Sequence, residues 1–461
     1  MKKRSCLKGS FELHFLKSIF LFPYFESVKA IEKFVFRNWA GCAQSCAQKY
    51  FQPQTEHEIA LILKEAAESG KKIRVVGAGH SWSPLVCTDD YLLNLDFFNN
   101  IISIDKPKKQ IRVQAGIRLR QLNKVLEDVG LSLVNLGSVS EQSLAGLTAT
   151  GTHGTGIRFQ ILSSAIIGMK VLKADGEILK LEEDDPLLDA YRVSLGLLGI
   201  ITEITLQCTD AFNLKEESEP MQFDKALGKL PELLQENEHL KLWWFPHVSH
   251  LMVYRYNRTK ESAQSKSVFI KWLEEVLLAR YFFALVLRIG NAMPSRIPAI
   301  NRFIKNLHLK KISRVGKSYE IFNVPMPPKH RESEYAVPVE HAAAALRELR
   351  EEIERNRMKV NFVVEVRFVK GDKIWLSPAY GRNSCYIGGY LYGDKRWTAY
   401  FGLFEKLMKK YDGRPHWGKE FTPGLNEFGK MYEKLGEFLK LKENVDVNDI
   451  FENKLTEEIM R

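Results

Sequence analysis

Lys71–Ser81, KKIRVVGAGHS, and Asn135–Gly156, NLGSVSEQSLAGLTATGTHGTG, are the stretches that decide how the chain folds. The first is a β-branched run ending in two glycines around one small residue. Such a turn lets backbone N–H groups converge on an anion such as a pyrophosphate. It is not a dinucleotide fingerprint of the Rossmann kind. Trp82 stands where the third glycine belongs, and the loop SWSPLVCT follows in place of a helix. The second stretch crowds glycines and hydroxyls around Leu144-Ala-Gly146-Leu147, which allows close backbone approach and phosphate ligation together. Two such loops within one α+β unit predict a cradle for a cofactor diphosphate.

Around these loops helices and strands alternate. FQPQTEHEIALILKEAAESG has apolar residues at helical spacing behind a Thr55 cap, with Glu58 three positions on as its capping-box partner. YLLNL and QIRVQAGI read as strands, RLRQLNKVLEDVG as a helix closed by Gly130, and IIGMKVLKADGEILKL as a hairpin turned at Asp175-Gly176. LGLLGIITEITLQC is a turn into a buried strand. Beyond Cys208, helices (FDKALGKLPELLQEN, EHAAAALRELREEIERN) alternate with strands (HLKLWWFP, HLMVYRY, NFVVEVRFV, SCYIGGYLY), predicting a second α+β domain on an antiparallel sheet.

The 461 residues are 45% hydrophobic and 27% charged, which excludes disordered, collagenous and small disulfide-stapled classes. The net charge of +11 is unevenly placed: +5 in residues 1–38, +9 in 266–317 and −3 over 39–211. A basic surplus points to nucleic acid, a membrane surface or an anionic ligand. No aromatic-interleaved basic strand supports nucleic acid. Six cysteines are too few and too scattered for a disulfide framework, and Cys42 and Cys46 lack a second pair to complete a metal site, so reduced thiols and no metal are expected. The start MKKRSCLKGS is signal-like, but Glu12, His14 and Lys17 interrupt the apolar patch behind it and no small-residue cleavage site follows. An amphipathic lead-in helix is the expectation. Val276–Gly290, cut by Arg280, is too interrupted to span a bilayer; it reads as an interfacial helix with a basic flank or as a core helix of the second domain. The expected location is cytoplasmic or peripheral to a membrane, with contact through residues 1–38 and 266–317.

GAGHS, QAGIRLRQLN, NLGSVSEQSLAG, TGTHGTG and GLLGIITEITL, in that order, resemble the flavin domain of the vanillyl-alcohol oxidase superfamily. VEVRFVKGDKIWLSPAYGRNSCY (Val364–Tyr386) and GRPHWGK (Gly413–Lys419) resemble the aldonolactone oxidoreductases, which comprise the L-gulono-1,4-lactone and D-arabinono-1,4-lactone oxidases with bacterial alditol oxidase as a cousin. The resemblance runs from about Asn38 to the end. It implies a two-lobed α+β flavoprotein: an extension over 1–38, an FAD-binding domain of the p-cresol methylhydroxylase type over 39–211, and an α+β substrate (cap) domain on an antiparallel sheet over 212–461, whose C-terminal segment returns to the flavin.

Residue by residue, the resemblance implies FAD bonded covalently through His80, with Gly77, Ala78, Gly79 and Ser81 cradling the pyrophosphate. Ser138, Ser143, Gly146, Thr150, Gly151, Thr152 and His153 match the second cradle, and Ile201 would meet the adenine through its backbone. Gly137 stands where the dehydrogenases carry alanine, which implies an open path for dioxygen. Glu365 and Arg367 alternate on one strand and so share a face; a carboxylate beside a guanidinium can bind a hydroxyl while the cation offsets negative charge. Lys419 resembles the family lysine that favours the anionic reduced flavin. The implied reaction passes a hydride from C2 of a sugar 1,4-lactone to flavin N5, gives an ascorbate-like product, and returns electrons to O2 as hydrogen peroxide. Gly388 falls where alditol oxidase carries a substrate-contacting histidine, so a lactone is favoured over an open-chain polyol. The alternatives are a lactone dehydrogenase with a quinone or cytochrome acceptor, an alditol oxidase, and a non-catalytic membrane-docked flavin-binding protein.

Overall fold

Helix Glu56–Glu68 shows how the first lobe assembles. Thr55 Oγ1 accepts the Glu58 N–H at 3.1 Å, and the Glu58 carboxylate reaches back to the Gln54 N–H at 2.6 Å. Ile59, Ile62, Leu63 and Ala66 then fall on one face and bury against Phe51, Ile73, Tyr91 and Leu93. The computed structural model describes residues 28–264, 281–308, 311–324, 328–393, 397–422 and 424–460. Most of the expected lead-in and the start of the basic strip, residues 1–27 and 265–280, lie outside them.

The first lobe holds two main sheets. A four-stranded sheet runs in the order Ala30–Arg37, Gln44–Phe51, Tyr91–Asn94, Ile73–Val76; its first pair is antiparallel and the other two are parallel. Strand Ala30–Arg37 lies within the expected extension, so this sheet begins before the boundary drawn at residue 38. A five-stranded antiparallel sheet carries Gln110–Gln114, Ile200–Gln207 and the Asp175-Gly176 hairpin.

The second lobe is an eight-stranded antiparallel sheet, ordered Ile312–Lys317, Asn213–Gln222, His250–Thr259, His239–Trp244, Val364–Val369, Ser384–Leu391, Arg331–Pro338 and Arg414–Pro415. FDKALGKLPELLQEN forms two helices rather than one, Phe223–Gly228 and Leu230–Glu236, because Pro231 starts the second. Strand periodicity sorts this sheet into two faces. Leu240, Leu242, Val364, Val366, Phe368 and Ile387 pack under helices Ala342–Arg355 and Trp397–Lys410. Their alternates, including Lys241, Trp243, Glu365, Arg367, Glu332 and Glu334, point the other way, and most of them face the first lobe across a cavity.

Among the links that hold the lobes in register, two bear directly on the glycine loops. Gly156 N–H donates to the Phe368 carbonyl at 2.6 Å and Phe368 N–H to Thr155 Oγ1 at 3.2 Å, so the second glycine loop is hooked onto the strand that carries Glu365 and Arg367. The chain end supplies the other. Arg74, buried, donates to the carbonyls of Leu85 at 2.8 Å, Leu195 at 2.7 Å and Phe451, and Ile73 N–H donates to the Ile450 carbonyl. Burial brings the Arg74 guanidinium down to about 10, which still leaves it charged at neutral pH. Asn453 Nδ2 donates to the carbonyls of Pro84, Leu85 and Cys87. Residues 450–453, just before helix Lys454–Met460, therefore clasp the strand that leads into GAGHS.

Candidate active site

The glycine turn and the second loop face each other across a cleft. Gly77, Ala78, Gly79, His80 and Ser81 line one wall, and Ser143, Gly146, Thr150 and Ile201 the other. A Cβ on Gly77 would stand 1.9 Å from Ser143 Oγ, far inside contact distance. Gly79 adopts φ +66°, in the left-handed region where a side chain is strained. The backbone N–H groups are thus exposed to a ligand by residues with no bulk to cover them. Gly77→Ala is expected to abolish cofactor retention and lower Tm, whereas Ser143→Gly in the same chain should restore part of both; flavin content of the purified protein and a thermal melt check this.

At His80 the cleft meets a cavity of about 380 Å³. Burial, with the charges of Arg118 and Lys419 adding, pushes the His80 imidazole down to about 4, so the ring is neutral at neutral pH. Its Nδ1 is buried and, among the described residues, has no hydrogen-bond partner. A cradle that a Cβ would fill, joined to a cavity at an unpartnered neutral imidazole, fits a dinucleotide-like flavin with its diphosphate in the cleft and its ring system at the cavity.

The cavity wall contributed by the second lobe is a set of ion pairs. Arg367 Nη2 donates to Glu365 Oε2 at 2.6 Å and to Ser138 Oγ at 2.8 Å. Trp243 Nε1 donates to Glu365 Oε1 at 2.8 Å, and the Tyr390 hydroxyl to Oε2 at 2.7 Å. Lys241 Nζ lies 4.0 Å from the same carboxylate. Burial works to raise the Glu365 carboxyl, but Arg367, Lys241 and the two neutral donors outweigh it and bring it down to about 2. Glu365 is therefore a fixed anion and a poor base. Lys419 Nζ meets Glu332 Oε2 at 2.5 Å and sits 4.1 Å above the Trp82 ring centre. Glu334 Oε1 is 3.3 Å from His153 Nε2, and His153, Glu334 and His416 present nitrogen and oxygen atoms all within 4.8 Å of one another.

The residues named from the sequence divide between these two spaces. Ser143, Gly146 and Ile201 line the cleft, and Thr150 lines both cleft and cavity. Gly137, Ser138, Thr152 and His153 line the cavity beside Glu365, Arg367 and Lys419. Gly151 lines neither; its φ of +69° turns the chain between them. Ser138 and His153, expected in the second cradle, instead hold Arg367 and Glu334. Sequence reasoning missed Glu332, Glu334, Lys241 and Tyr390. Their signal was present as charged residues alternating inside strands, above all in RESEYAVP, every residue of which is buried or half-buried.

The cleft and cavity together define an FAD-binding oxidoreductase of the vanillyl-alcohol oxidase fold. Residues 47–182 match the FAD binding domain model, and residues 204–459, more than half of the chain, match the D-arabinono-1,4-lactone oxidase model. The L-gulonolactone oxidase of Scyliorhinus torazame is 35% identical over 430 residues, covering 92% of this chain and 97% of the relative. The L-gulono-1,4-lactone dehydrogenase of Mycobacterium tuberculosis is 32% identical over 92% of this chain and 99% of its own length. Among solved structures, cholesterol oxidase from B. sterolicum superposes with a TM-score of 0.82 at 16% identity, covering 94% of this chain and 98% of that one, a likeness of fold alone. The chain belongs to the FAD-linked aldonolactone oxidoreductases.

Proposed function

We propose that the chain oxidises a sugar 1,4-lactone of the L-gulono or D-arabinono type at C2, passes the electrons to dioxygen to give hydrogen peroxide, and holds its FAD covalently through His80. The observation that carries this reading is the buried Glu365–Arg367 pair, set in the cavity that adjoins the cofactor cleft at His80. The names of the relatives support a sugar lactone. One is named an oxidase and the other a dehydrogenase, so the choice of acceptor rests on Gly137.

Bound FAD supplies the hydride acceptor. The protein supplies orientation and charge. Glu365 Oε2 is filled by Arg367 and Tyr390, but Oε1, which accepts from Trp243, keeps a lone pair and can accept from a lactone hydroxyl without giving up its ionised state. Arg367, held by Glu365 and Ser138 through one nitrogen, has N–H groups left to meet negative charge as the hydroxyl loses its proton. Lys419, fixed against Glu332 and Trp82, sets a second cation in the wall. Phe245, Phe283 and Phe362 line the same cavity and make part of its wall apolar. In this reading residues 39–211 hold the cofactor and 212–461 the substrate.

A peripheral membrane contact belongs to the same proposal. Helix Phe283–Ala292 buries Val286 and Leu287 in the second lobe but exposes Leu285 and Ile289, and Met293 and Phe303 extend the patch beside Arg288, Arg296 and Arg302. Among the described residues no helix is long and apolar enough to cross a membrane.

Anaerobic addition of L-gulono- or D-arabinono-1,4-lactone should bleach the flavin, and air should restore its colour with release of peroxide. A flavin that neither lactone bleaches would sink the substrate reading. Bleaching followed by recovery with a dye but not with oxygen would sink the choice of acceptor.

A further inference from the structure

The protons of the His153–Glu334–His416 cluster can be placed from hydrogen-bond chemistry alone. His153 Nδ1 lies 2.9 Å from the Gly154 carbonyl oxygen, which can only accept, so Nδ1 carries a hydrogen. His153 Nε2 faces Glu334 Oε1 at 3.3 Å. A bare nitrogen against a carboxylate oxygen would be repulsive, so a proton lies between them. His416 is opposite in kind. Its Nδ1 accepts the Gly418 N–H at 3.0 Å, which leaves that nitrogen bare, and burial, against the pull of Glu334, pushes the ring down to about 3. His416 is therefore neutral, with its hydrogen on Nε2, which is a poor ligand set for a metal. Burial works to raise the Glu334 carboxyl, but His153, Lys419 and His416 together hold it well below the usual carboxylate range. The proton accordingly sits on His153, which is also stacked on Tyr386 with ring centres 3.7 Å apart.

The place of this imidazolium matters. A Cβ on Gly137 would lie 3.2 Å from the His153 carbonyl oxygen and 3.4 Å from Thr152 Cγ2, so the residue taken to admit dioxygen abuts the segment that carries the proton. The other cavity groups are unsuited to give up a proton near neutral pH. Arg367 and Lys419 are each engaged by a carboxylate, Glu365 is ionised, His416 and His80 are neutral, and Tyr390 is pushed far up by burial and by Glu332 and Glu365. His330 remains, but its Nε2 is 3.7 Å from Glu332, whose charge Lys419 already balances.

We infer that His153 is the proton donor of the oxygen half-reaction, an imidazolium held against Glu334 and lining the cavity from a segment whose backbone abuts Gly137. The inference rests on the oxidase reading above. Two electrons and two protons leave the lactone as its C–H and O–H bonds break and a carbonyl forms. Dioxygen takes the two electrons from the reduced cofactor and two protons, one of them from His153, to give hydrogen peroxide. The lactone hydroxyl proton leaves to solvent in the first half-reaction, and solvent re-protonates His153 after the second.

Two measurements test this on the holoenzyme. Nitrogen-15 NMR of histidine-labelled protein, with the His153 signals assigned by their loss in His153→Asn, should show both ring nitrogens protonated at neutral pH. Stopped-flow reoxidation should show the rate with dioxygen, relative to that with an artificial dye, falling roughly tenfold or more in His153→Asn and in Glu334→Gln. Dithionite serves as reductant in this arm, so a failure with lactone tells against the substrate reading and not against His153. A bare Nε2 in the wild type, or an unchanged dioxygen-to-dye ratio in either folded variant, overturns the inference. If neither variant folds, the wild-type protonation state still decides, with the signals assigned by His153 proximity labels in place of the variant.

Discussion

Arg367→Met is expected to lower kcat/KM for the lactone by roughly three orders of magnitude, about 4 kcal/mol of transition-state stabilisation. Methionine fills much of the arginine volume but removes the cation that Glu365 and Ser138 both hold. Glu365 would then be a buried carboxylate supported by Trp243, Tyr390 and a lysine 4.0 Å away. Stripping one partner from a buried ion pair costs about 3–5 kcal/mol of stability, so the urea midpoint should fall as well. Activity and stability separate in a second variant. Arg367→Lys keeps a charge that can meet Glu365 and Ser138 but loses the guanidinium N–H groups that remain for the substrate, so it should recover much of the stability and little of the rate. Steady-state kinetics and urea melts on the three proteins decide the point; equal kcat/KM in wild type and Arg367→Met would remove Arg367 from the chemistry.

His80→Ala is expected to convert a flavin that survives acid precipitation into one released to the supernatant. Among the described residues the ring offers a neutral, buried Nδ1 with no competing hydrogen bond, and no other imidazole lines both the cleft and the cavity. Because the glycine cradle is untouched, the variant should still bind FAD reversibly, and dialysis should strip it where it leaves the wild type yellow. Flavin fluorescence of the denatured band on a gel reads the result. Colour that stays with denatured His80→Ala would place the bond on another side chain.

The first lobe was legible because its function is written in backbone. Gly77, Gly79 and Gly137 act by lacking a side chain, and glycine spacing is a local property of sequence. Strand alternation likewise put Glu365 and Arg367 on one face. The remaining wall was hidden for a physical reason. Glu332 and Glu334 sit in a strand whose alternating charge reads as a solvent face, and only Lys419 and His153, distant in the chain, explain why carboxylates are buried there. Lys241 was masked in the same way in HLKLWWFP, since its neighbour Glu365 is supplied by another strand. Strand Ala30–Arg37 was not legible because its burial is one-sided and its partner strand, Gln44–Phe51, is itself polar.

The contact between the cradle strand and residues 450–453 has a consequence for folding order. Arg74 and Ile73, on the strand that leads into the glycine turn, find partners in Ile450 and Phe451, and Asn453 ties down the loop after it. The Arg74–Phe451 contact joins residues 377 apart in sequence, and closing so long a loop costs more entropy than forming either glycine loop. The support under the cradle is therefore a late product of folding, and flavin would load onto it last.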